Sequence, residues 1–200
     1  DPHMPYAPPA PLDTLYRRGL PPGRRADLAD FRDLALSDAP VPQALLDHYV
    51  GLYDGQINGV DAHVAQILAA LDSLGARERT LIVIAADHGE DHFERNRYFG
   101  HSCSIYQQTV RVPLIVSLPS RVPARIVHEP IELIDVRPTI LELLGRPAPR
   151  GVQGRSVASW VAAPIEGGES ASLAATSAAA AASGPFEALI EWSEERAGGG

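Results

Sequence analysis

The sequence contains no lysine: all seventeen of its cationic residues are arginine. Schiff-base chemistry and catalysis by a lysine base are thereby excluded. Cysteine is nearly absent as well. Cys103 stands alone, which excludes an internal disulfide and any multi-cysteine metal site. Positive charge is scarce, with 17 basic against 25 acidic residues and a net charge of −8 at pH 7. Nucleic-acid affinity rests on cations that neutralise phosphates, so no nucleic-acid partner is expected. Long hydrophobic runs are missing too. The longest packing stretch, residues 81–86, falls far short of the ~20 residues that span a bilayer, and no membrane segment is expected. No basic segment followed by an apolar one marks a signal peptide. The opening residues, Asp1-Pro2-His3-Met4-Pro5, read like the interior of a protein. What is present is ordinary: 45% hydrophobic and 21% charged residues over a length of 200, enough for a core in one domain or two small ones.

Composition divides the chain. Residues 1–42 hold nine prolines. Each fixes its own φ and pushes its predecessor out of the helical region, which predicts a loop with one short helix around 25–36. From Gln43 onward apolar residues recur at three- and four-residue steps, from Leu46, Tyr49, Val50 and Tyr53 to Leu71 and Leu74. That spacing predicts one long amphipathic helix ending at Gly75. Gly51, Gly55 and Gly59 lie four apart within it. Each costs about 1 kcal/mol against alanine, so another element is expected to pack closely there.

Residues 80–86, Thr-Leu-Ile-Val-Ile-Ala-Ala, form a β-branched run that reads as a strand buried on both faces. A second run, 112–118, follows after 25 residues. A helix is predicted over 138–144, stopped by Gly145 and the prolines at 147 and 149. The alternation predicts an α/β sandwich, a mostly parallel sheet flanked by helices. After Trp160 glycine, serine and alanine dominate, so 161–200 is expected to be a low-complexity linker and C-terminal segment.

The chemistry follows the first strand, at Ala86-Asp87-His88-Gly89-Glu90. In open α/β sheets ligands bind beyond the carboxyl ends of the strands. There Asp87 and His88 offer a carboxylate oxygen and an imidazole nitrogen to one cation, with Gly89 permitting the turn that lets both converge. A capping aspartate and a surface histidine are the structural alternative. Thirteen residues later comes Gly100-His101-Ser102, then Tyr106 and Arg111-Val112-Pro113. His3 sits between Pro2 and Pro5 in a stiff loop able to aim an imidazole.

The ordered set Ala85-Ala86-Asp87-His88-Gly89-Glu90, Tyr98-Phe99-Gly100-His101, Ser104-Ile105-Tyr106 and Arg111-Val112-Pro113-Leu114-Ile115-Val116 resembles the type I sulfatases of the alkaline phosphatase superfamily. The flanks agree: His3-Met4-Pro5-Tyr6, the helix through Asp54 and Asp61, Asp135-Val136-Arg137-Pro138, and Gly151-Val152-Gln153-Gly154. The resemblance covers about residues 1–160. It implies an alkaline-phosphatase-like sandwich whose N-terminal part is missing, so that 1–160 form a partial catalytic domain.

The resemblance further implies that Asp87 and His88 are metal ligands, half of a divalent site, with calcium preferred and manganese, magnesium or zinc as alternatives. It implies that His3 contacts the sulfuryl oxygens or the leaving group, and that His101 serves the leaving oxygen. The family's nucleophile is a cysteine or serine in a Cys/Ser-x-Pro-x-Arg motif near its N-terminus, upstream of everything matched here, and is converted in sulfatases to formylglycine. Cys103, in Ser102-Cys103-Ser104-Ile105, lacks the proline and arginine and reads as incidental. The implied function is a sulfuric ester hydrolase acting on a small-molecule or glycan sulfate ester, this chain alone being inactive. The alternatives are a phosphodiesterase, phosphonate monoester hydrolase or phosphoglycol transferase on the same scaffold, and a non-catalytic remnant or binding module. The compartment is left open.

Overall fold

The computed structural model describes residues 2–16, 40–94, 99–101 and 104–162. The helix expected around 25–36, Cys103, and all of the C-terminal segment beyond Ala162 lie outside the described residues. Two compact units divide the chain. The first comprises Asp1–Ile67 and Ala86–Pro113, the second Leu68–Ala85 and Leu114–Gly200.

Helix α1 is a single turn, Leu12–Leu15, and α2 runs Gln43–Ser73. The predicted long helix is therefore present, and its end has a plain cause. Gly75 adopts φ +59°, its N–H bonds to the Asp72 carbonyl, and the Ala76 N–H reaches back to Leu71. This paired cap needs a left-handed residue, which glycine supplies without a Cβ clash. Gly55, inside α2, is explained by packing in the first unit. A Cβ on Gly55 would stand 2.6 Å from the Leu12 carbonyl oxygen and 2.9 Å from Pro8. The proline-rich segment is the element that the glycine spacing anticipated.

The core of the first unit is aromatic. Tyr6, Tyr49, Leu52 and Phe93 are buried, with Met4, Leu45, Tyr53 and Phe99 against them. Two short strands, β2 at Asp91–His92 and β3 at Phe99–Gly100, pair antiparallel with Asp91 opposite Gly100 and His92 opposite Phe99. Helix α3, Gln107–Val110, follows.

In the second unit β1, Ile82–Ala85, pairs with β4, Leu114–Ser117, from Ile82 opposite Ser117 to Ala85 opposite Leu114. This pairing is antiparallel, as is every strand pair among the described residues. It corrects the expected parallel arrangement of these two runs. A parallel return needs a connection that travels the length of a strand, usually a helix. The described part of the connection between β1 and β4 offers only the one-turn α3. The strands are also half-buried rather than covered on both faces. Helix α4 runs Val136–Leu143 and α5 runs Ala158–Val161, one residue beyond the expected boundary at 160. Leu143, Ala158 and Val161 are buried together with Leu81, Val116 and Val127 around them. Buried Asp135 ties this unit's loops, accepting the backbone N–H groups of Arg155 at 2.8 Å and Glu132 at 3.3 Å.

Candidate functional site

Strand register assembles the site. With residues 91 and 100 paired, and 92 with 99, the next position outward sets Glu90 beside His101, and their side chains meet: His101 Nδ1 lies 2.9 Å from Glu90 Oε1. Gly100 makes the approach possible. It is buried at φ +85°, a left-handed conformation that a side chain rarely adopts, and leaves Met4 and Glu90 at ordinary van der Waals distance from where a Cβ would stand. Gly89 has a different reason from the one expected. It is not in the left-handed region; it is bare because a Cβ would collide with the Gln108 backbone carbonyl, while its own N–H bonds to Thr109 O at 2.8 Å.

Three imidazoles gather in the first unit. The rings of His88 and His101 stack with centroids 3.9 Å apart and a 25° interplanar angle. His3 lies 5.2 Å from His101, centroid to centroid. The hairpin register carries residue 101 to the residues just before β2 and so sets His101 directly on His88. The three rings share a tautomer. His3 Nδ1 is 2.6 Å from the Met4 carbonyl, and His88 Nδ1 is 2.9 Å from the Gly89 carbonyl. A carbonyl only accepts, so Nδ1 carries the hydrogen in both. The carboxylate of Glu90 asks the same of His101. Each neutral ring therefore keeps Nε2 without a hydrogen.

Asp87 and His88 converge. His88 Nε2 lies 3.8 Å from Asp87 Oδ2, and the Asp87 side chain is 90% exposed. Hydrogen bonds from its own backbone N–H and that of His88, with the His88 imidazole beside it, hold the Asp87 carboxyl below the usual carboxylate range. This pair fits a divalent cation. One ligand is an ionised oxygen donor, and the other is an imidazole whose Nδ1–H is committed to a backbone carbonyl, leaving Nε2 as the donor nitrogen. They supply two ligands. No cluster of three or more His, Cys, Asp or Glu suited to a metal occurs among the described residues.

Three residues with a bearing on the site were not singled out from the sequence. Glu90, with 5% of its side chain exposed, accepts the Tyr6 hydroxyl at 2.7 Å through Oε2. Tyr6 is fully buried, and burial first, then the bond to Glu90, raises its pKa beyond any working pH. Tyr6 stays a donor. The available signal was alternation: Tyr6 sits in the same proline-braced loop as His3, and Glu90 ends the same motif as Asp87.

His92 is the third. Its ring packs edge-on to Tyr53 at 4.8 Å, and its buried Nε2 has no hydrogen-bond partner among the described residues. Burial pushes its pKa below 6.5, against the pull of Glu90 and Asp91. The sign follows from linkage: as pH falls through about 6.5 the unfolded chain takes up the proton more readily than the folded one, so stability is lost toward acid. His92→Phe keeps an aromatic ring and removes the titrating group. Its urea midpoint, compared with that of the unsubstituted chain between pH 7.5 and 5, is expected to fall less; equal slopes would refute this reading.

One stretch does carry the order Ser-x-Pro-x-Arg, at Ser117-Leu118-Pro119-Ser120-Arg121. Its bonds are those of a turn ending β4. The N–H groups of Arg121 and Val122 both reach the Leu118 carbonyl at 2.8 Å, and Arg121 Nη1 donates to the Leu143 carbonyl at 3.0 Å.

Comparison with known proteins decides the family. The sulfatase family model matches residues 1–146. The chain belongs to the sulfatase family. This sulfatase-family chain is 35% identical to the mouse (Mus musculus) steryl-sulfatase over 121 residues, covering 54% of the chain and 19% of that protein. It is 34% identical to an endo-4-O-sulfatase of Bacteroides thetaiotaomicron over 111 residues, covering 54% and 22%. Among solved structures, a phosphonate monoester hydrolase from Silicibacter pomeroyi superimposes with a TM-score of 0.64 at 29% identity, covering 84% of this chain and 37% of the other. The chain thus matches about a fifth of the length of these curated sulfatases. No helix among the described residues is long and apolar enough to cross a membrane.

Proposed function

We propose that the full-length protein is a metal-dependent sulfuric ester hydrolase acting on a small-molecule or glycan sulfate ester. The carrying observation is the convergence, in a sulfatase-family chain, of the Asp87-His88 pair with His101 and His3, each ring's Nδ1 committed to an acceptor. Asp87 and His88 would hold a divalent cation, with calcium preferred and manganese, magnesium or zinc as alternatives. When bound, such an ion draws electron density from the ester oxygens. As a nucleophile outside these residues donates an electron pair to form its bond to sulfur, the bond from sulfur to the leaving oxygen breaks, its electron pair moves onto that oxygen, and His101, carrying a hydrogen on both nitrogens, passes its Nε2 proton there. The ring is left neutral with its proton on Nδ1. His3, exposed and held by Met4, directs its Nε2 to the sulfuryl oxygens. The nucleophile is not assigned to a residue of this chain. In this reading residues 1–160 belong to a catalytic domain of the alkaline-phosphatase-like kind, and 161–200 are a linker and tail.

A second reading is favoured by one observation. The phosphonate monoester hydrolase superimposes on 84% of the chain, so hydrolysis of a phosphonate or phosphate ester is the alternative. Rates on 4-nitrophenyl sulfate and 4-nitrophenyl phenylphosphonate, measured on the full-length protein with each divalent cation in turn, separate the two. The sulfate ester is expected to be the better substrate by kcat/KM, and turnover is expected to fall on chelation and in Asp87→Ala. A faster phosphonate ester selects the alternative; turnover of neither ester rejects both.

A further inference from the structure

We propose that Glu90 is a positioning residue for His101: its carboxylate, anchored by the Tyr6 hydroxyl, accepts the His101 Nδ1–H and so fixes which nitrogen meets the substrate. The inference rests on the reading of His101 as the group serving the leaving oxygen, and it is carried by geometry. Glu90 is enclosed, with 5% of its side chain exposed. Each of its oxygens has one partner, Tyr6 Oη at 2.7 Å and His101 Nδ1 at 2.9 Å. The Tyr6 hydroxyl belongs to a ring fully buried among Tyr53, His92 and Phe99. The carboxylate is thus pinned from behind and presents one oxygen to the imidazole.

His101 differs in this from the other two imidazoles. His3 and His88 lean on backbone carbonyls of their own neighbours, whereas His101 bonds to a charged side chain eleven residues away. A hydrogen bond to a charged acceptor is worth roughly twice a neutral one. A free neutral imidazole exchanges its hydrogen between the two nitrogens, whereas a ring whose Nδ1–H is held keeps Nε2 as the nitrogen that gives up the proton. The Glu90 carboxylate removes that ambiguity. It also keeps the ring plane fixed while Nε2 loses its proton, so the donor does not swing away in mid-reaction.

Nitrogen-15 NMR of the imidazoles in the unsubstituted chain tests this without any turnover. With the His101 signals identified by their loss in His101→Gln, the neutral ring is expected to show a protonated Nδ1 and an unprotonated Nε2. In Glu90→Gln, which keeps the shape and removes the charge, the ratio of the two tautomers is expected to shift toward Nε2–H by about tenfold or more. A protonated Nε2 in the neutral ring of the unsubstituted chain would overturn the proposal, and this measurement stands even if the variant fails to fold. An unchanged ratio in folded Glu90→Gln would overturn it too. The functional reading fails separately: the expected tautomer with full turnover in His101→Ala of the full-length protein would reject the role of His101 in the reaction and leave the positioning intact.

Discussion

His101→Ala in the full-length protein is expected to slow hydrolysis of an alkyl sulfate by roughly 10²–10⁴-fold, the usual worth of a placed general acid, with the loss in kcat rather than KM. The expectation depends on the leaving group. An alkoxide is a poor leaving group and needs a proton as the ester bond breaks, whereas 4-nitrophenolate leaves with little help. The penalty should therefore shrink on 4-nitrophenyl sulfate, and the two esters together separate acid catalysis from binding. An equal loss on both, expressed as a higher KM, would make His101 a binding group. No loss on either would remove it from the reaction. His101→Gln guards against a trivial outcome, because the alanine variant also strips Glu90 of a partner and His88 of the ring stacked on it at 3.9 Å.

Tyr6→Ala is expected to cost about 3–5 kcal/mol in urea denaturation, the range for deleting a fully buried aromatic side chain. Tyr6 has no exposed surface and heads the aromatic core of the first unit, with ring centroids 5.3 Å from Tyr53 and 6.0 Å from both His92 and Phe99. Truncation leaves a cavity that rigid rings fill poorly. Tyr6→Phe isolates the hydroxyl. It keeps the ring but leaves the enclosed Glu90 carboxylate one donor short, at a cost of about 1–3 kcal/mol. A neutral Tyr6→Phe would show that the 2.7 Å bond to Glu90 adds nothing to stability. An alanine variant as stable as the unsubstituted chain would remove Tyr6 from the core.

The sites of helix formation and chain reversal were legible residue by residue because their causes are local. The three- and four-residue spacing from Leu46 onward produced α2, and Gly75 and Gly145 ended α2 and α4 with φ values of +59° and +66°. The motif order around Asp87, His88 and His101 located the family, since the spacing of chemically distinctive residues survives where most other positions change. Strand direction was not legible. A β-branched run such as 82–85 reports that it is extended and apolar, and carries no information about which way its partner runs; the antiparallel pairing with 114–117 depends on how the intervening residues fold. The same limit hid Glu90 and the stacked imidazoles. Register between β2 and β3 sets residue 90 beside residue 101, and register is a property of two segments at once. The sequence by itself determined α2 and α4, the glycines that end them and the identity of the reactive side chains. Only the tertiary structure decided which of them touch, because hydrogen bonds such as Tyr6 to Glu90 to His101 join residues as far as 84 positions apart and form only when packing has excluded water from between them.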